Sequence, residues 1–201
     1  MIEQIKNHRN MLKELYDGVV ATDHRGNALP LDGALEKVIH VICEQACQKR
    51  KLIFIGNGGS AAIASHMAVD FWKNIGIKAI TFNDSTLLTC LSNDIGYAYA
   101  FEKSIEIFGD EGDVLMAISS SGMSENILRG VAAARKKNLK VVTFSGFNEN
   151  NPLRKEGEYN FYVPIAEYGF VEAIHHLLCH CLVDIIMRNK SNMKKREIVH
   201  E

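Results

Sequence analysis

From residue 52 onward the chain alternates between short apolar runs and segments of helical spacing, and two of the runs end in loops of glycine or serine. The runs fall at 52–55, 79–82, 113–118, 141–144 and 160–163. Apolar residues at helical intervals follow at 60–73 and 125–137, a helical turn fits 87–91, and a long, mostly apolar helix is predicted over 171–187. Strands that alternate with helices need crossover connections, which keep the strands parallel and lay helices on both faces. The predicted fold is therefore α/β, three layers deep, around a five-stranded parallel sheet. Ligands in such folds bind at the carboxyl ends of the strands, where both loops would lie.

Two further helices precede the first strand. One covers 1–16, with Ile2, Ile5, Met11, Leu12 and Leu15 at helical spacing and Asp17–Gly18 as its stop. The other covers 34–48, and the segment between them, 22–31, reads as a loop. The expected division is an N-terminal helix and loop (1–33), one α/β domain (34–190) and a frayed tail (191–201). Amphipathic helices outside a sheet are expected to pack on a partner subunit.

Charge and cysteine usage narrow the function classes. With 23 basic and 24 acidic residues the formal net charge is −1, which gives no long-range pull on nucleic acid or an anionic membrane. An anionic ligand must be held locally. Cys43, Cys47, Cys90, Cys179 and Cys181 are odd in number and contain no CxxC pair, so they read as reduced thiols rather than a disulfide framework or zinc ribbon. The N-terminus has no apolar signal core, and no stretch is expected to reach the roughly 18 apolar residues of a membrane span. A cytoplasmic protein is expected.

The first loop, Gly56-Asn57-Gly58-Gly59-Ser60, joins a strand to a helix and lets backbone N–H groups approach a ligand. Gly56, Gly58 and Ala61 also match the G-x-G-x-x-A dinucleotide fingerprint, with Asp84 near the place of a ribose-binding acid, so a nucleotide reading stays open. The second loop is Ser119-Ser120-Ser121-Gly122-Met123-Ser124. Its hydroxyls and a helix N-terminus can hold a phosphate monoester without a lysine. Helix capping would need only one of those serines.

His66 and Asp70 share a helix face at i, i+4. Glu172, His176 and His180 form an i, i+4, i+8 series on the last helix, with His175 on its flank. Any one of these histidines could be a satisfied core residue. Two helices that each present imidazole and carboxylate also make a possible four-ligand metal site, of a type that suits zinc.

The stretches GNGGSAAIASHMAVD, LSNDIGY, GDVLMAISSSGMSENILRGVAAARKK and EAIHHLLCHCLVDII resemble the sugar-isomerase (SIS) domain family, and most of all its phosphoheptose isomerase branch. The resemblance spans about 34–187. It implies a flavodoxin-like five-stranded sheet, a homotetramer, and interconversion of D-sedoheptulose 7-phosphate and D-glycero-D-manno-heptose 7-phosphate on the route to lipopolysaccharide or capsule heptose. By the same resemblance Asn57, Gly58, Gly59, Asn93 and Asp94 would touch the sugar, and Ser119, Ser120, Ser121 and Ser124 the phosphate. His66, Asp70, Glu172 and His180 would hold Zn2+ and carry the catalysis. The chain departs from the branch at Asp70, where Glu is usual, and at Glu172-Ala173, where Gln-Glu is usual.

Aldose–ketose isomerisation moves a proton between C1 and C2 through a cis-enediol, and needs a carboxylate base and an acid that serves the two oxygens. Asp70 is the expected base with Glu172 as substitute, His180 the acid, and His66 mainly a metal ligand. The competing functions are a non-catalytic SIS module, acting as a sugar-phosphate regulator or replication-initiation adaptor, and an isomerase of another sugar phosphate.

Overall fold

The computed structural model describes residues 1–199, with side chains through Lys190. The side chains of the expected frayed tail, 191–201, lie outside the described residues.

A seven-stranded sheet forms the centre, ordered β2-β1-β7-β6-β5-β3-β4. Its parallel part is the expected five strands: β3 (Leu52–Gly56), β4 (Ala79–Thr81), β5 (Val114–Ser119), β6 (Lys140–Ser145) and β7 (Tyr159–Tyr162). Every residue of β3 and β5 is buried, as strands covered on both faces must be. Side chains alternate between the faces. Leu52 and Phe54 join one core cluster, with Met67, Phe71 and Leu178, while Ile53 and Ile55 join the other, with Phe101, Ile105 and Val131.

The two remaining strands correct the sequence reading. Residues 22–31 were expected to be a loop. Instead β1 (Val20–Asp23) and β2 (Ala28–Leu29) form a short antiparallel hairpin, and β1 pairs antiparallel with β7. Asp23 closes the hairpin, its carboxylate accepting the backbone N–H groups of Arg25 and Asn27 at 2.9 Å each. Polar turn chemistry in so short a segment hides the strands on either side of it.

Helices α2 (Leu31–Cys47), α3 (Gly59–Ile75) and α7 (Tyr168–Val199) cover one face. On the other lie α4 (Ser85–Asp94), α5 (Ala100–Phe108) and α6 (Glu125–Lys136). Helix α5 was not foreseen, and α4 is a full helix where a single turn was expected. Helix α1 (Ile2–Asp17) has no buried residue.

The segment Tyr168–Lys190 of α7 is long and apolar enough to cross a membrane by length and composition, with a window hydropathy of 1.6, contrary to the expectation that no stretch would qualify. Half of that window is buried inside the fold. Val171, Ile174, Leu178, Leu182 and Val183 all pack in the core.

The connectivity places the site. The chain runs from β3 out to β4 on one side and returns to β5 on the other, so the strand order reverses between β3 and β5. Crevices at such switch points, beyond the carboxyl ends of the strands, are where open α/β sheets bind ligands.

Candidate functional site

Both loops open at this switch point and line a cleft of about 230 Å³, together with Tyr168 and Glu172 from the start of α7. Of the expected contacts, Asn57, Gly58, Gly59, Ser119, Ser120, Ser121, Ser124 and Glu172 face this cleft. Two larger cavities, of about 730 and 650 Å³, lie elsewhere, one lined by Lys140, Glu158 and Tyr159 and the other by Cys43, Ile77 and Ile186. Neither holds a serine of the loop or any of the clustered histidines.

The serine loop leaves β5 and enters α6. Ser124 occupies the N-cap position of α6, yet its side chain makes no capping hydrogen bond. The Asn126 side chain accepts the Ile127 N–H instead, at 3.0 Å. Ser119 Oγ accepts the Gly122 N–H at 3.2 Å, and Ser121 Oγ accepts the Met123 N–H at 3.2 Å. Gly122 has φ +65°, a conformation that L side chains rarely adopt, and a Cβ there would also collide with Asn151. Ser120 Oγ is buried with no partner. The loop is thus held by its own backbone while hydroxyls beyond those needed for capping remain, as a neutral phosphate cradle requires.

Asn57 and Asn126 tie the two loops together. Each amide donates to the other's oxygen, at 2.9 and 2.8 Å. Tyr97 adds a third bond by donating its hydroxyl to Asn57 Oδ1 at 2.7 Å. Asn126 and Tyr97 escaped the sequence reading. An Asn in a first helical turn looks like ordinary helix-start chemistry, and Tyr97 comes from a separate turn. Asn93 and Asp94, expected to touch the sugar, stand exposed at the end of α4, bonded to each other at 2.9 Å and outside the lining of the cleft.

Helices α3 and α7 then carry the polar seam away from the cleft. Glu172 packs its carboxylate against Gly59, where any Cβ would collide with it. No hydrogen bond or ion pair to another described residue engages that carboxylate. One turn on, about 6 Å along α7, the imidazoles of His66, His176 and His180 gather with their ligand atoms all within 4.8 Å of one another. Asp70 Oδ2 lies 3.3 Å from His66 Nε2 and 3.8 Å from His180 Nδ1. Asn74 donates to its other oxygen at 3.2 Å. Three of the four expected metal donors, His66, Asp70 and His180, are thus brought together. Glu172 stands apart from the group at the cleft, and His176, which was left out of the expected donor set, is inside it.

The two adjacent histidines of α7 differ sharply. His175 is fully buried against β6 and bonds the Ser145 carbonyl through Nε2 at 3.1 Å. Burial pushes its pKa down to about 4, so it is neutral and structural. His176 turns to the cluster. Burial first, and then the neighbouring His180 and His66, hold it below the usual imidazole value. Its Nε2 is buried without a partner. Imidazole nitrogens gathered within 4.8 Å of one another, beside one carboxylate, are a donor set that zinc accepts.

The SIS domain family model matches residues 28–146. The phosphoheptose isomerase of Thermodesulfovibrio yellowstonii is 31% identical over 171 residues, which cover 80% of this chain and 85% of that protein. Solved structures of phosphoheptose isomerases superpose on nearly the whole chain. The Neisseria gonorrhoeae protein does so with a TM-score of 0.78 at 26% identity, over 92% of this chain and 97% of its own. The Francisella tularensis protein gives 0.79 at 25% identity, over 93% and 98%.

Proposed function

We infer, for a chain that belongs to the SIS domain family and to its phosphoheptose isomerase branch, that it is an aldose–ketose isomerase interconverting D-sedoheptulose 7-phosphate and D-glycero-D-manno-heptose 7-phosphate. Its place is in heptose biosynthesis, and its product serves lipopolysaccharide or capsule. The observation that carries this reading is the seam from the serine cradle, past the Glu172 carboxylate at Gly59, to the imidazole cluster.

The cradle at Ser119–Ser124 binds the phosphate, far from the reacting carbons, and supplies binding energy that positions the rest of the chain. Glu172 faces the same cleft and Asp70 does not, so Glu172 is the base that carries the proton between C1 and C2. This assignment reverses the order expected from sequence. Asp70, flanked by His66 and His180 and bonded by Asn74, is placed to orient imidazoles or hold a metal. His66, His180 and Asp70 are donors that zinc would take. When bound, zinc would polarise the sugar carbonyl and stabilise negative charge on the enediol oxygens.

The enzyme works in the cytoplasm as a homotetramer, on a small sugar phosphate rather than nucleic acid or a membrane. Support for assembly comes from α1, which exposes Ile2 and Ile5, and from Val69 and Trp72 on α3, exposed beside Asp70. The test is incubation of the purified protein with sedoheptulose 7-phosphate, with zinc and separately with a chelator, with aldose formation followed by NMR. Zinc-dependent conversion is expected. A folded protein that binds the sugar phosphate and converts none of it in either sample would be a regulatory module instead.

A further inference from the structure

We propose that His176 is a metal ligand in this chain, completing a His66–Asp70–His176–His180 set and leaving Glu172 outside it. The functional meaning of this assignment rests on the isomerase reading above, but the assignment itself can be tested without turnover.

Three observations carry it. First, His176 offers a ring nitrogen within 4.8 Å of those of His66 and His180, and its buried Nε2 finds no hydrogen-bond partner. The neighbouring His175 gives one ring nitrogen to the Ser145 carbonyl at 3.1 Å and leaves its buried Nδ1 unpartnered too, but its ring meets Phe144, whereas His176 meets two other imidazoles. Secondly, the three ring centroids form a compact triangle rather than a column. His66 meets His176 edge-on at 5.3 Å between centroids and His180 at 5.4 Å, and His176 lies 4.5 Å from His180. Zinc–ligand bonds of about 2.0–2.2 Å would draw these donors in by small rotations of exposed or half-buried side chains. Thirdly, His176 and His180 are one helical turn apart, the i, i+4 pairing that places two imidazoles on one metal. Glu172 is two turns from His180, about 12 Å along the axis, and its carboxylate is against Gly59.

The consequence is a division of labour. With His176 in the set, three imidazoles and Asp70 supply the protein donors, a sugar oxygen could add as a fifth ligand, and Glu172 does not have to serve both the metal and the proton. A carboxylate bound to zinc is a poor base, because the ion holds the electron pair that must take the proton.

The test compares the metal-free protein with its His176→Ala and Glu172→Gln variants in zinc titrations against a competing chelator, and in cobalt(II) titrations read by visible absorption, all without sugar. One zinc per wild-type chain is expected. His176→Ala should lose at least about 100-fold in zinc affinity, more than loss of an outer-shell partner costs, and should change the cobalt spectrum. Glu172→Gln should stay within about threefold, with an unchanged spectrum. The reverse pattern, or absence of zinc binding by the wild type, overturns the proposal. Should His176→Ala fail to fold, the long-range proton–nitrogen NMR spectrum of wild-type imidazoles decides. A zinc-induced shift of the His176 nitrogens supports the assignment, and nitrogens that do not move refute it. Wild-type protein that binds zinc in this way but does not convert sedoheptulose 7-phosphate would overturn the isomerase reading and leave the ligand assignment standing.

Discussion

The serine cradle and the histidine cluster sit a few turns apart on the same seam, and they are finished to different degrees. In the cradle, Ser119 and Ser121 take backbone N–H groups of their own loop, and the Asn57–Asn126 amide pair fastens that loop to its neighbour. In the cluster, the His66 side chain is 51% exposed and the His176 Nε2 has no partner. A binding site gains from donors fixed in advance, whereas a site for chemistry must keep some groups unsatisfied until reactant or metal arrives. The cradle holds its ligand with preformed dipoles. The cluster keeps its most reactive atoms open.

Replacing Glu172 gives the sharpest contrast between the two. Glu172→Gln removes the base but keeps its shape against Gly59, so kcat should fall by about 10²–10⁴-fold while KM stays within a few-fold. Steady-state kinetics on sedoheptulose 7-phosphate check this, and a raised KM with normal kcat would return Glu172 to the binding half. Next in size is a pH effect from His175. Its folded pKa of about 4 lies below the usual 6.5, so the unfolded chain takes up the proton first as pH falls. The associated stability is complete above about pH 6.5 and is lost between pH 6.5 and 4, to a total of about 3 kcal/mol. Denaturant melts across that range should show the loss in the wild type and not in His175→Gln, which keeps a donor for the Ser145 carbonyl.

Smaller effects probe the cradle. Ser121→Ala removes one hydroxyl and should raise KM about tenfold with kcat little changed, as loss of one hydrogen bond to a charged group implies. An unchanged KM would remove that serine from the phosphate contacts. Ser120→Ala is the finest probe. Its hydroxyl is buried without a partner, so deletion should leave the ligand-free protein as stable or slightly more so while it weakens phosphate binding. Loss of stability on deletion would mean that the hydroxyl is structural.

The parallel sheet and the serine loop were legible because each depends on local pattern, the alternation of apolar runs with helices and an excess of hydroxyls over what a cap needs. The edge hairpin was not, because β1 is defined by its register with β7, well over a hundred residues away (Ala21 opposite Phe161), and nothing in TDHRGN announces that pairing. Spacing put His66 with Asp70 and Glu172 with His176 and His180. It could not say which of the α7 residues meets α3 at the cleft and which at the cluster, since that depends on how the two helices cross. The structure puts the Glu172 carboxylate at Gly59 and gathers His176 with His66 and His180. Helix α7 illustrates the same limit, because its apolar length has one meaning in a bilayer and another against a sheet, and only packing distinguishes them.

The amide lock between the loops also bears on how the protein ages. Asn57 precedes a glycine, the neighbour that least shields an asparagine side chain from attack by the following backbone nitrogen. Were its amide hydrolysed to a carboxylate, the group now donating to Asn126 Oδ1 would become an acceptor facing an acceptor, and a negative charge would enter the wall of a cleft built for a phosphate. Stored enzyme would then lose affinity for its substrate before it lost its fold, with a mass change too small for a gel to register.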